Sequence, residues 1–237
     1  MNTREKVNLP QKEKENSILN HPINRKRFLM FSGITALGIG LGIQGCSEDD
    51  IVTTSTNSVD LGAGDVGVLN YAYALEQLEA AFYIQVAASF YSGATSAEIQ
   101  ILTDIRDHEI AHRDFFKAAI GSAAIPSLEV NFSSIDFTSR NSVLNTAKAF
   151  EDLGVSAYNG AGYLIDSAAY LELAGKIVSV EARHAATIRD LLNPRSPDFA
   201  GNDVVDAAGL DVKRLPSEVL NIAKTYLVTS VTANNLP

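Results

Sequence analysis

The sequence predicts an all-α chain whose body is a four-helix bundle: two antiparallel hairpins joined by a long crossover, with a short helix after them. Three observations carry this. Four segments, roughly 65 to 91, 96 to 120, 140 to 165 and 167 to 192, repeat apolar residues at helical spacing and have the length of bundle helices. The connections inside each pair are short, whereas residues 121 to 139 separate the pairs. No stretch reads as a convincing sheet.

With 237 residues, 46% of them hydrophobic, the chain can bury one sizeable core. Charge is divided unevenly. The first 45 residues hold 7 of the 19 basic residues and 3 of the 28 acidic ones, which leaves 12 bases against 25 acids beyond them. A body this acidic argues against binding to nucleic acid or to an anionic membrane, and favours cations. The single cysteine rules out an internal disulfide framework and any multi-cysteine metal site.

The amino-terminal end has the layout of a secretory signal over residues 1 to 45. Arg25, Lys26 and Arg27 precede an apolar stretch, Phe28 to Ile43, that is short for a membrane span. Gly45 before Cys46, with Ile43 at the third position before it, resembles a bacterial lipobox. That likeness implies that Cys46 is the lipidated first residue of an exported protein, anchored in a membrane and periplasmic or displayed at the cell surface. The alternative is an uncleaved, glycine-rich anchor helix. "RKRFL" resembles a twin-arginine export signal with Lys26 in place of the second arginine, and "SEDD", Ser47 to Asp50, is similar to surface-export tags or is simply a solvated acidic start to a linker. Residues 46 to 64 include "IVTTSTNSVDL", which has no helical period and reads as a flexible tether.

The bundle occupies 65 to 195. Ser96, with Glu98 soon after, is the expected N-cap of the second helix, and Ser139 or Ser142 that of the third. The short "SGAT" turn at 92 to 95 and the turn at Asp166 and Ser167 make each pair an antiparallel hairpin. Nineteen residues reach about 63 Å when extended, and a 25-residue helix is about 38 Å long. The middle connection can therefore cross the whole bundle. Residues 196 to 237 form a carboxy-terminal extension in which Pro216 to Val228 suggests a short helix.

Within the bundle, the apolar stripe Ile101, Ile105, Phe116 of the second helix also carries Glu109 and His112, and the stripe Ile177, Ile188, Leu191 of the fourth carries Glu181 and His184. Unpaired, such residues on a buried face would cost several kcal/mol. Random placement of 13 Glu and 4 His in this length gives only about 0.2 Glu-x-x-His pairs. The first and third helices repeat each other as well. "LEQLEAAFY", Leu75 to Tyr83, aligns without gaps on "FEDLGVSAY", Phe150 to Tyr158, matching Glu76 to Glu151 and Tyr83 to Tyr158. Glu79 aligns with Gly154 and reads as a flank residue. Glu76 and Glu109 are equally far from one turn, and Glu151 and Glu181 from the other. Four carboxylates and two imidazoles could therefore converge in one layer, where without a cation the carboxylates would repel and raise one another's pKa values.

Two glutamates plus two Glu-x-x-His motifs is the ligand pattern of di-iron and di-manganese carboxylate bundles. Over residues 65 to 192 the chain resembles the ferritin-like superfamily, in particular its exported bacterial members. The resemblance implies that Glu76, Glu109, His112, Glu151, Glu181 and His184 hold two divalent metal ions, with Glu109 and Glu151 bridging. Iron is expected first, and manganese or zinc suits the same ligand types. It implies an oxidase or peroxidase that oxidises iron or reduces dioxygen or peroxide. The alternative is a non-catalytic binding or structural lipoprotein whose metal staples the helices. A storage cage is disfavoured by a lipid on every amino terminus. Tyr83 and Tyr158 read as core residues with a hydrogen-bonded hydroxyl, the alternative being a redox role. His108 reads as solvent-facing, with a contact behind a ligand as its alternative.

Overall fold

The computed structural model describes residues 58–237. The expected signal, Cys46 and the first part of the tether lie outside the described residues. The order of elements is β1 (Ser58–Asp60), α1 (Gly64–Ala88), α2 (Ser96–Ile120), α3 (Arg140–Ala161), α4 (Ala168–Leu192), α5 (Pro216–Ala223) and β2 (Ser230–Thr232). The mostly helical four-helix bundle with a short carboxy-terminal helix is the architecture expected. α1 packs chiefly on α2 and α3 chiefly on α4.

Local chemistry sets the helix ends. Thr95, not Ser96, caps α2: Thr95 Oγ1 accepts from Glu98 N at 3.2 Å, and Glu98 Oε2 accepts from Thr95 N at 2.8 Å. This reciprocal box needs its glutamate three residues after the cap, a spacing that Thr95 has and Ser96 lacks. Ser139 caps α3 and Ser167 caps α4 through their hydroxyls. α1 stops at Ala88 rather than 91, because Ser89 is extended and Gly93 takes a positive φ of 77° in the turn. α3 stops at Ala161 rather than 165 and tightens into a 3-10 turn over Gly162–Leu164. α5 stops at Ala223, and a further 3-10 turn over Lys224–Tyr226 replaces the rest of the expected helix.

From Gly67 to Ala80 α1 is buried on every side, and the crossover contributes to this. Asn70 Nδ2 donates to Ala123 O at 3.0 Å while its Oδ1 accepts from Ile125 N. One stretch further along, Gln77 Oε1 accepts from Leu128 N at 2.8 Å, and beyond the end of α1 Ser92 N donates to Thr138 O. These anchor points climb the helix in step with the crossover, so the connection runs the length of α1 and seals it. Both ends of the bundle are tied across the hairpins. At one, Arg140 Nε meets Glu98 Oε1 at 2.7 Å and Arg140 Nη2 donates to Leu191 O. At the other, Asp65 accepts from the backbone N–H groups of Asp166 and Ser167.

One element was not legible in advance. β1 and β2 form a parallel two-stranded sheet in the register Ser58 to Ser230, Val59 to Val231 and Asp60 to Thr232. Three-residue strands are too short to show an alternating pattern, and their partners lie at opposite ends of the described chain. Leu61, inside the stretch expected as tether, is fully buried and its N–H donates to Thr232 O. Residues 58 to 63 thus belong to the fold. No helix among the described residues is long and apolar enough to cross a membrane.

Candidate metal centre

Each long helix brings its expected residues to the bundle interior: Glu76 from α1, Glu109 and His112 from α2, Glu151 from α3, Glu181 and His184 from α4. The four carboxylates are 0% exposed and His184 is 5% exposed, whereas the His112 side chain keeps 13%. Their ligand atoms form two groups, Glu76, Glu109, His112 and Glu181 in one, and Glu109, Glu151, Glu181 and His184 in the other. Within each group the atoms lie inside 4.8 Å of one another.

The groups share Glu109 and Glu181, each of which divides its two oxygens between them. His112 Nδ1 is 2.7 Å from Glu181 Oε1 and 3.7 Å from Glu109 Oε2; His184 Nδ1 is 2.8 Å from Glu109 Oε1 and 3.5 Å from Glu181 Oε2. Glu76 Oε2 completes the first group, 3.6 Å from His112 Nδ1, and Glu151 Oε2 the second, 3.5 Å from His184 Nδ1. The expected bridging pair is Glu109 with Glu151; here Glu151 belongs to one group alone, and the carboxylates common to both groups are Glu109 and Glu181.

These contacts are close enough for ion pairs with protonated imidazoles, but their geometry is not that of hydrogen bonds. Eight buried atoms of the six residues, including both oxygens of Glu109 and of Glu181 and the Nδ1 of each histidine, have no hydrogen-bond partner. Buried polar atoms that converge and yet stay unpaired are costly, unless a cation sits among them. The residues fit bound metal ions.

The charges say the same. Burial pushes Glu76 well above the usual carboxylate range, with the charges of Glu181 and Glu109 adding to it. Burial also raises Glu151, to about 8, against the pull of His184. Burial opposes charge on the histidines too, but Glu109 and Glu181 with Glu76 raise His112 to about 12, and Glu109 and Glu151 with Glu181 raise His184 to about 12. Glu109, although buried, is brought down to about 2 by the two imidazoles. Protons therefore occupy the histidines where metal would otherwise neutralise the carboxylates.

Sequence reasoning missed or undervalued three contacts. Tyr83 of α1 donates its hydroxyl to Glu151 Oε1 of α3 at 2.5 Å, and Tyr158 of α3 donates to Glu76 Oε1 of α1 at 2.5 Å. The hydrogen-bonded core tyrosines are as expected, but the crossed pairing onto the site glutamates is visible only across helices. Burial first, then the partner glutamate, keeps both phenols neutral donors. His108 is exposed, as expected, yet its Nδ1 lies 2.9 Å from His184 Nε2 with the rings stacked at 5.1 Å. Glu79 is not on a flank. It is 4% exposed, and burial with the neighbouring charges of Glu109 and Glu181 raises its carboxyl strongly. The alignment of Glu79 with Gly154 was the signal that could have placed it.

Comparison with known proteins agrees with this geometry. The family model of a ferritin-like domain matches residues 64–194, the span of the four long helices. The chain matches no curated protein. With more than half of its length under that match and a buried carboxylate and histidine cluster in the bundle interior, the chain belongs to the ferritin-like domain family.

Proposed function

We propose that this chain is an exported, lipid-anchored di-metal carboxylate protein, iron first and manganese or zinc second, that oxidises iron or reduces dioxygen or peroxide. The observation that carries the reading is the division of Glu109 and Glu181 between two ligand groups whose buried atoms lack other partners. Glu76 and His112 would close one metal position, and Glu151 and His184 the other. Bound iron would supply one reducing electron per ion to the oxidant.

The chain's own residues prepare the site for this. Tyr83 and Tyr158 hold the outer glutamates by one oxygen and leave the other oxygen facing the layer. His108 engages the far nitrogen of His184 and so fixes which nitrogen faces the carboxylates. Six side chains for two ions leave coordination positions free for an oxidant. Anchoring through Cys46 rests on the lipobox-like stretch and puts the bundle outside the cytoplasm.

Elemental analysis of the mature protein, then anaerobic loading with ferrous iron and rapid mixing with each oxidant, tests the reading. Two irons per chain and oxidation faster than that of free ferrous ion are expected. Two bound metals that stay redox-silent would leave the structural staple instead.

A further inference from the structure

Between α4 and α5 the chain folds back over α3 and α4, and it is fastened there at two places. At the first, Arg189 of α4 is 3% exposed and spends all five guanidinium N–H groups, on both carboxylate oxygens of Asp152 in α3, on both of Asp203 and on Asp198 O, at 2.7 to 3.1 Å. At the second, Arg214 N donates to Ser156 O at 3.0 Å and Arg214 Nη1 to Ser156 Oγ at 2.7 Å. Gly160 permits this close approach to α3, since a Cβ there would collide with Arg214 O.

Between the two fastenings the chain arches and leaves a cavity of about 260 Å³. Val155 of α3 with Ala182 and Ala186 of α4 line one side, and Phe199, Val204 and Val212 of the arch line the other. The small alanines keep the space open. Asp152, Ala182 and Ala185, also in the lining, directly follow Glu151, Glu181 and His184 in the chain, so the cavity lies behind the turns that carry half of the metal centre.

The lining selects an occupant. Mostly aliphatic walls offer enclosed water too few of the two to four polar partners it needs, so an apolar ligand gains by displacing it. A cavity of about 150 Å³ takes benzene, and 260 Å³ takes a ring carrying a short chain. Anions find no grip, because Arg189 has no N–H left to donate. Only the flat face of its guanidinium remains, a surface on which aromatic rings stack. Phe199, 57% exposed, offers an aromatic ring beside it. Charge favours a cation. Arg189 and Lys148 are matched by Asp152 and Asp203, whereas Asp211 of the lining is exposed and its carboxylate pairs with no described residue.

We propose that this cavity binds a small cationic aromatic, an arylalkylamine, with its ring against Phe199 and the face of Arg189 and its ammonium at Asp211. The site is separate from the metal centre and should fill with or without metal.

Tryptamine, indole and indole-3-acetate test it as probes of one shape and three charges. The chain contains no tryptophan, so indole fluorescence belongs to the probe alone, and its anisotropy reads binding to the full-length protein directly. At low salt tryptamine should saturate one site per chain and bind about tenfold tighter than indole-3-acetate, with indole between them. Asp211→Asn should bring tryptamine and indole-3-acetate within about threefold of each other while leaving indole unchanged. Ala186→Leu should weaken all three about tenfold or more by filling the cavity, and Ala182→Leu, at another partly exposed lining position, serves if the first variant does not fold. Absence of saturable tryptamine binding, indole-3-acetate binding as tightly as tryptamine, or affinities that neither filling variant changes would each overturn the proposal.

Discussion

Glu79 Oε1 lies 2.9 Å from the point where a Cβ on Gly154 would begin. The two residues occupy the same place in the internal repeat, one on α1 and one on α3, and the glycine leaves room for the carboxylate. The repeat is broken where its two copies meet. Gly154→Ala alone should destabilise the protein by about 1 kcal/mol through that collision. In a Glu79→Ala background the same change should stabilise it by about 0.5–1 kcal/mol, the ordinary gain of alanine over glycine in a helix. Thermal denaturation of the four proteins closes the cycle, and additive effects would show that the two positions do not meet.

The shared carboxylates should matter more than the terminal ones. Glu181→Ala or Glu109→Ala should reduce bound metal from two ions per chain toward none, because each serves both groups. Glu76→Ala or Glu151→Ala should leave one. Metal content by elemental analysis distinguishes the cases, and an equal loss for all four variants would remove the bridging assignment. Glu79→Gln should keep two ions.

His108→Ala should weaken metal binding by about tenfold or more at the His184 position while leaving the fold intact, as expected when the partner of a ligating imidazole is removed. Competitive titration with a chelator reads this directly. Because His108 is exposed, an unfolded variant would be a surprise, and an unchanged affinity would reduce the contact to packing.

The pH dependence follows from the histidines. His112 and His184, raised to about 12 in the metal-free fold, stabilise that fold fully below the unfolded histidine value of 6.5 and lose the contribution as pH rises toward 12. Glu151, raised to about 8, loses its own contribution as pH climbs from 4.5 through 8, and depressed Glu109 loses its contribution only as pH falls from 4.5 toward 2. Metal-free protein should therefore have a lower Tm at pH 9 than at pH 6, whereas metal-loaded protein holds its Tm and the gap widens. Metal binding at pH 7 should release protons, about three per chain from the two imidazoles and Glu151, measured calorimetrically in buffers of different ionisation enthalpy.

Cys46→Ala should abolish lipid labelling and release the protein from the membrane fraction. Unchanged labelling would mean that the apolar stretch ending at Gly45 acts as an uncleaved anchor or not as an export signal at all.

The sequence by itself determined the four helices, their pairing into hairpins and the six residues of the layer. These rest on local facts: a 3.6-residue period, short turns, and the Glu-x-x-His spacing that puts two side chains on one helical face. Height along an antiparallel hairpin is also local, since it follows from counting residues to the turn. What lies across helices was decided only by tertiary structure. Which carboxylates are shared, Glu109 with Glu181 rather than with Glu151, depends on the rotation of α2 and α4 about their axes, and no spacing within one helix encodes it. The crossed pairs of Tyr83 with Glu151 and Tyr158 with Glu76, the reach of His108 to His184, and the burial of Glu79 against Gly154 have the same origin. Each is set by two helix surfaces packing at one relative rotation, and packing joins residues that the chain keeps 68 to 82 positions apart.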